Sequence, residues 1–352
     1  MAVYTQISID ELNVFLSKYN IDNINEFSGI KGGTSNSNYL LTADNKKFIL
    51  TIFEERTNQE NLPFYFDLMN HLNAHDIKCP EVIKDKQGNF SNSIKQKHAV
   101  ITSFLTGSSL EKIKPIHCSN LGLTIAKMHN ASEKLNIKRE NELGFDKLGI
   151  IIEKLKAYKK HIDGEKLNIK RENELGFDKL GIIIEKLKTY KKHIDDEKLK
   201  FIEDEFLFLS REISKDLPSG IIHADLFPDN IFFEENNLTG IIDFYFSCND
   251  FYAYEIAICL NAWCFEDSNN EFNPTKAKYL LGSYNQERKF SNEEVEALPL
   301  LARASALRYL LTRLLDFYSH EDSDLILKKD PNEYISKLKF HQSVRKASEY
   351  GL

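Results

Sequence analysis

Between residues 219 and 247 the sequence gathers polar side chains at the mouths of short apolar runs: His223, Asp225, Asp229, Asn230 and Asp243. Ile221 and Ile222 lead into this stretch, Ile231 to Phe233 lead out of it, and a polar turn separates them from a third run at Gly240 to Ile242. The pattern is H-x-D-x-x-x-x-N, with Asp243 thirteen residues after Asn230 at the end of an Ile-Ile pair. These residue types suit phosphoryl transfer. Asp225 can accept the proton of an attacking hydroxyl, while Asn230 and Asp243 offer oxygen ligands to Mg²⁺, a hard cation that prefers oxygen. The plainer alternative makes the same residues turn formers and a strand end. It is the weaker reading, because apolar strands seldom carry this many convergent polar groups without a use.

Elements must hold those groups in place. Ser8 and Glu11, with Leu12, Phe15 and Leu16 behind them, signal a capped helix. Strand-like runs at 27–30 and 39–42 flank a loop that carries Gly32, Gly33, Ser35 and Asn36. Backbone N–H groups in such a loop can face phosphate oxygens; a plain hairpin turn is the alternative, and the loop's place ahead of the catalytic stretch favours the first. A strand is expected at 47–53 and a helix at 61–74. Two more strands are expected at 81–84 and 95–103, around a turn at Gln87 to Asn89. A helix follows at 117–130, with His129 as a partner for its C-terminal dipole. After the catalytic stretch come an aromatic-rich helix at 250–265 and helices at 274–284, 293–301 and 302–318, then a basic helical tail at 331–352. Residues 133–164 and 165–196 are one segment written twice, differing only at Ala157/Thr189 and Gly164/Asp196. In the first copy Phe145, Leu148, Ile152, Leu155 and Ile162 form one apolar stripe. Two copies are too few for a solenoid.

A chain of 352 residues with 42% hydrophobic and 28% charged residues is ordinary for a globular protein of one or two lobes. A net charge of -7 leaves no basic excess for a nucleic-acid partner. The five cysteines, Cys79, Cys118, Cys248, Cys259 and Cys264, show no metal-binding spacing and read as free thiols of a reducing compartment. The polar N-terminus is no signal peptide, and no apolar run reaches the ~20 residues that span a bilayer. A cytoplasmic protein without a membrane partner is the expectation.

The detail of the central stretch adds a resemblance. Leu-Phe-Pro-Asp-Asn-Ile-Phe-Phe from Leu226 to Phe233, then Gly-Ile-Ile-Asp-Phe-Tyr from Gly240 to Tyr245, resembles the aminoglycoside-phosphotransferase-like kinases, and among them the homoserine kinases. The Ser-Asn-Ser-Asn run from Ser35 to Asn38 is similar to theirs as well. The resemblance implies an α+β, protein-kinase-like fold. Residues 1–102 would form a small N-lobe of antiparallel sheet with one helix, and residues 103–352 a larger, mostly helical C-lobe. It implies ATP and Mg²⁺ as cofactors, with Gly32, Gly33, Ser35 and Asn36 at the phosphates and the backbone of Ser103 and Leu105 at the adenine. Asp225 would be the base, His223 would shape the loop, and Asn230 and Asp243 would hold the metal. The acceptor implied is L-homoserine, a small molecule whose product serves threonine biosynthesis. Its ammonium and carboxylate need partners, for which Asp229, Asp250, Arg308 and Arg313 stand nearest. Two departures stand out: Thr51 occupies the place of the phosphate-gripping lysine, with Lys47 or Arg56 as possible substitutes, and Glu255 stands where the pattern usually has Asp. Two rival readings stay open: a choline, ethanolamine or aminoglycoside kinase of the same fold, and an inactive kinase-like binding module.

Overall fold

The structure of the protein is a computed structural model. It describes residues 5–22, 24–30, 36–43, 45–54, 58–141, 196–214, 216–319 and 329–352. Helix α1 (Ile9–Leu16) starts with the expected box: Glu11 N–H donates to Ser8 Oγ at 3.2 Å and Ser8 N–H to Glu11 Oε2 at 2.8 Å. Its Leu12, Phe15 and Leu16 bury against one face of a five-stranded antiparallel sheet. The sheet order is β1 (Ile24–Gly29), β2 (Ser37–Ala43), β3 (Lys46–Ile52), β5 (Lys97–Ser103), β4 (Asn92–Ile94). Side chains alternate across β2, with Tyr39, Leu41 and Ala43 in that core. Phe53, Val100 and helix α2 (Leu62–Ala74) belong instead to the larger core shared with the helical lobe.

The hairpin partner of β5 differs from the expected one. Lys95 and Gln96, both at positive φ (48° and 63°), make the turn that pairs β4 with β5. Neither residue type advertises that conformation, so the sequence pointed to the Gly88 turn instead. Residues 81–84 contribute one bridge, Val82 to Thr102. The two helices expected at 293–301 and 302–318 are a single helix, α7. Pro299 lies within it, and burial of Leu298, Leu301 and Ala302 offsets the hydrogen bond that proline removes.

The helical lobe is built from α3 (Pro115–Ser132), α4 (Asp196–Glu212), α5 (Tyr252–Trp263), α6 (Pro274–Glu287), α7 (Asn292–Ser319) and α8 (Asn332–Ser343). Helix α5 is buried on all sides, as its apolar run predicts. Helices α3 and α6 approach so closely at Gly122 that a Cβ there would lie 2.2 Å from the Leu280 carbonyl oxygen. His129 is fully buried, and its Nδ1 lies 2.8 Å from the Tyr284 hydroxyl. Burial, with Arg288 nearby, holds its pKa well below the usual value, so it is neutral and is no cationic dipole partner.

Two small ribbons sit between the sheet and the helices: β6 (Ser219–Ile222) with β9 (Cys248–Phe251), and β7 (Ile231–Glu234) with β8 (Asn237–Ile241). The start of the duplicated segment docks here. Arg139 N–H donates to Asn249 Oδ1 at 2.8 Å, and Asn249 N–H to the Arg139 carbonyl at 2.7 Å. The helical stripe expected from Phe145 to Ile162 lies outside the described residues.

Candidate active site

Strand β6 delivers the chain to His223, and the next residue bends sharply. Ala224 has φ of 65°, a left-handed conformation that costs a non-glycine residue energy. The surroundings hold it there. The Glu255 carboxylate, fully buried on α5, accepts from the backbone N–H groups of His223 and, at 3.0 Å, of Ala224. Tyr309 Oη donates to the Ala224 carbonyl at 3.2 Å, and Trp263 Nε1 to the Leu226 carbonyl at 2.8 Å. His223 is buried and its pKa lowered by burial. Its Nε2 lies 2.9 Å from the Ile242 carbonyl and its Nδ1 accepts from Asp225 N–H at 3.3 Å, which fits the neutral Nε2–H tautomer. His223 therefore ties the Asp225 loop to the Asp243 segment.

Asn230 closes the turn. Its Nδ2 donates to the Asp225 carbonyl at 2.8 Å and to Asp225 Oδ2 at 3.2 Å, which turns Oδ1 away from Asp225. Its own carbonyl accepts from Ile242 N–H at 3.0 Å, so Asn230 and Asp243 are neighbours. Asp243 is itself left-handed, with φ of 65°. Burial first, and then the charges of Asp225 and Asp229, push the Asp243 carboxyl up to about 7. Asp225 is raised to about 6, again chiefly by burial, with Arg308 pulling the other way and Asp229 adding to the rise. No three His, Cys, Asp or Glu side chains gather as a metal cluster among the described residues, but Asn230 Oδ1 and the neighbouring Asp243 carboxylate are oxygen donors of the kind that fits Mg²⁺.

The segment after β5 is stapled to the β7–β8 hairpin. Ser108 and Phe233 exchange backbone hydrogen bonds at 3.1 and 2.9 Å, and Thr239 Oγ1 donates to the Thr106 carbonyl at 2.8 Å. Gly107, at φ of 92°, has no room for a Cβ, which would sit 2.8 Å from the Phe233 carbonyl oxygen. Ser103 N–H donates to the Glu81 carbonyl at 2.8 Å, and its Oγ accepts from Glu81 N–H at 2.9 Å. These two bonds hold Ser103 against Glu81 at the end of β5. Leu105 packs on Gly240. Thr51 Oγ1 donates to Asn38 Oδ1 at 2.8 Å. Lys47 is turned to the Phe104 ring at 5.4 Å. Asn36 is buried and accepts from Glu54 N–H at 3.2 Å, whereas Gly32, Gly33, Ser35 and Arg56 lie outside the described residues.

A model of the phosphotransferase enzyme family matches residues 26–290. The chain belongs to this phosphotransferase family. It is 40% identical to a homoserine kinase of Parvibaculum lavamentivorans, across 100% of this chain and 99% of that one. It is 41% identical to a homoserine kinase of Agrobacterium fabrum, with the same coverage of 100% and 99%. Among solved structures, a microcompartment-associated aminopropanol kinase aligns with a TM-score of 0.65 at 16% identity, covering 98% of this chain and 99% of that one. The amicoumacin kinase hAmiN, in complex with AMP-PNP, Ca²⁺ and Ami, aligns at 0.64 and 15% identity, covering 94% and 91%. Likeness at these identities shows the fold, which is protein-kinase-like with a sheet lobe and a helical lobe.

In this phosphotransferase the four acceptor candidates are spread apart. Asp229 is exposed at the mouth of the catalytic loop, 3.6 Å from Lys329. Asp250 is buried on β9, where it accepts from Asn141 Nδ2 and from Phe251 N–H. Arg308 is buried behind the loop, 3% exposed, with Nη1 3.3 Å from the Ala224 carbonyl. Arg313 lines a cavity together with Phe227, Pro228, Glu333 and Lys337. Sequence reasoning missed Trp263 and Tyr309 as supports of the loop. Their spacing from Asp225 in the chain carries no signal.

Proposed function

We propose that the protein is an ATP-dependent homoserine kinase, transferring the γ-phosphoryl group of ATP to the side-chain hydroxyl of L-homoserine. The observation that carries this reading is the meeting of Asp225, Asn230 and Asp243 in a chain that matches homoserine kinases along its whole length. Asp225 orients the acceptor hydroxyl and takes its proton as the new O–P bond forms and ADP leaves. His223 and Glu255 do not touch the substrate; they fix the loop that aims Asp225. Asn230 Oδ1 and Asp243 are the groups that would hold Mg²⁺, which when bound neutralises charge on the β- and γ-phosphates. The adenine would lie against the Ser103 carbonyl and the Leu105 backbone, at the joint between an N-lobe of residues 1–102 and a C-lobe of residues 103–352. Asn36 belongs to the phosphate loop with Gly32, Gly33 and Ser35. All five cysteines are free and buried, which fits a reducing cytoplasm. Among the described residues no helix is long and apolar enough to cross a membrane.

The test is a ³¹P spectrum of the product formed from ATP and L-homoserine, which should show a phosphate monoester on the side-chain oxygen. Asp225→Asn should lower kcat by about 10²–10⁴ and leave ATP affinity near that of the parent. Asp243→Ala should abolish turnover at any Mg²⁺ concentration. Full turnover by either variant would remove that residue from the mechanism.

A further inference from the structure

In a protein kinase the third strand carries the lysine that grips the nucleotide phosphates. Thr51 holds that place on β3, and its neighbours show what it does there. Its cross-strand partners are Asn38 on β2 and Val100 on β5, so the three share one face of the sheet. Val100 belongs to the core shared with the helical lobe, which puts Asn38 and Thr51 on that side. Thr51 is 5% exposed, and its Oγ1 is committed to Asn38 Oδ1 at 2.8 Å. A threonine side chain ends at that oxygen and has no further reach.

A second tie lies on the opposite face, where Ser37 pairs with Ile52 of the core under α1. Ser37 Oγ donates to Glu54 Oε1 at 2.5 Å and accepts from Thr5 N–H at 2.9 Å. The other Glu54 oxygen accepts from Lys97 Nζ, which also donates to Thr5 Oγ1 at 2.7 Å. Glu54 N–H donates to Asn36 Oδ1 at 3.2 Å. Burial raises the Glu54 carboxyl, but hydrogen bonds from Lys97 and Ser37 outweigh it and keep the group ionised. One carboxylate thus joins the N-terminal segment, the start of β2, the end of β3 and the start of β5.

We infer that Thr51 and Glu54 are positioning residues for the nucleotide: they fix the root of the phosphate loop, Asn36 to Asn38, from both faces of the sheet, so that the lysine's place serves this chain as a loop anchor. The inference rests on the kinase reading above and adds two residues to it. Farther along the same strands the pairs Tyr39–Leu50, Leu40–Ile49 and Leu41–Phe48 are apolar, so these polar ties sit at the end that adjoins the loop. A hydrogen-bonded pair fixes direction as well as distance, which an apolar pair does not. A loop whose root is already fixed loses less freedom when the nucleotide binds.

The test measures Kd for ATP by calorimetry, and KM for ATP and for L-homoserine, in the parent and in Thr51→Val, Thr51→Ser, Thr51→Lys and Glu54→Gln. Thr51→Val keeps the shape and loses the hydroxyl. Its Kd and KM for ATP should rise about three- to tenfold, the worth of one hydrogen bond, with KM for homoserine within about twofold of the parent. Thr51→Ser keeps the hydroxyl and should bind ATP nearly as the parent does. Glu54→Gln should weaken ATP by about tenfold or more, because bonds to a charged group are the stronger ones. Thr51→Lys should bind ATP no more tightly than the parent. Tighter binding by Thr51→Lys would make the position a phosphate grip and overturn the inference. Unchanged ATP binding in Thr51→Val or in Glu54→Gln, even with a lower melting temperature, would make that residue's tie a structural one; in both, it would overturn the inference. Thr51→Val is isosteric, so it gives a reading even where the lysine variant does not fold. If the parent binds no ATP, it is the kinase reading itself that fails.

Discussion

Ala224 and Asp243, the residues where the two catalytic segments turn, both adopt φ of 65° without being glycine. Such conformations persist only where neighbours impose them. At Ala224 the main imposing group is Glu255, whose two oxygens accept the N–H groups of His223 and Ala224. The extra methylene relative to the usual aspartate leaves this double acceptance intact. Glu255→Gln keeps the volume but turns an NH₂ toward one of those N–H groups. It should cost about 1–3 kcal/mol of stability, the penalty of an unmet buried donor. It should also lower kcat well beyond any change in ATP affinity, because the loop aims the base. Urea unfolding and steady-state kinetics on the variant check both effects; unchanged values in both would mean the loop holds itself. At this scale the meeting of Asp225, Asn230 and Asp243 was legible, and so were His223 and Glu255 beside it; the other supports of the loop were not. Asp225, Asn230 and Asp243 fall in one stretch, where a spacing rule applies. Glu255 was marked by the family pattern, whereas Trp263, Arg308 and Tyr309 reach the loop from distant helices and only the fold reveals them as its supports. Likewise the positions of Arg308 and Arg313, equivalent as sequence, separate into a buried loop support and a cavity wall.

The elements that carry these residues were read where periodicity was strong and missed where it was not. The capped helix α1, the alternation of β2 and the apolar helix α5 all follow their patterns. Strand β9, Cys-Asn-Asp-Phe, has no such alternation, yet it pairs with β6 and anchors Asn249 and Asp250. The Lys95–Gln96 turn is held by its strands, not by turn-forming residue types. Helix α8 locks onto α5 through a buried histidine: His341 Nδ1 is 2.7 Å from the Tyr350 hydroxyl and Nε2 is 3.2 Å from Asn261 Oδ1. Asn261 Nδ2 is already donating to Ala257 and Ala302, so Oδ1 must accept and His341 must carry its proton on Nε2. Burial lowers the His341 pKa from 6.5 to about 3. The unfolded chain therefore binds more protons between those values. Stability is full above about pH 6.5 and falls as the pH drops, by about 1.4 kcal/mol per unit from this group. Urea midpoints at pH 7 and pH 5 should show the loss. His341→Gln should be less stable at pH 7 but lose less on acidification; an equal loss in both proteins would contradict a neutral, buried His341.

At the scale of the whole molecule, the duplication sets the unusual question. The fold uses the head of the first copy, where Arg139 and Asn141 bind Asn249 and Asp250. It uses the last residue of the second copy, Asp196, as the start of α4. Helix α4 is then fixed by Arg303, which grips both oxygens of Glu205 at 2.7 Å. Deleting residues 164–195 keeps both ends and removes one repeat length. The shortened chain should fold, retain its KM for ATP and melt no lower than the parent. Insolubility or loss of ATP binding would show that both copies belong to the working fold. The central claim is the acceptor, and one comparison tests it most directly. ADP release is followed with purified full-length protein, ATP and Mg²⁺, against L-homoserine, choline, ethanolamine and kanamycin. The account predicts that kcat/KM for L-homoserine exceeds each of the others by at least about a hundredfold, some 2.7 kcal/mol of transition-state discrimination, and that Asp225→Asn removes the homoserine-dependent rate. Equal or faster turnover of choline, ethanolamine or kanamycin, or no homoserine-dependent ADP at all, would contradict it.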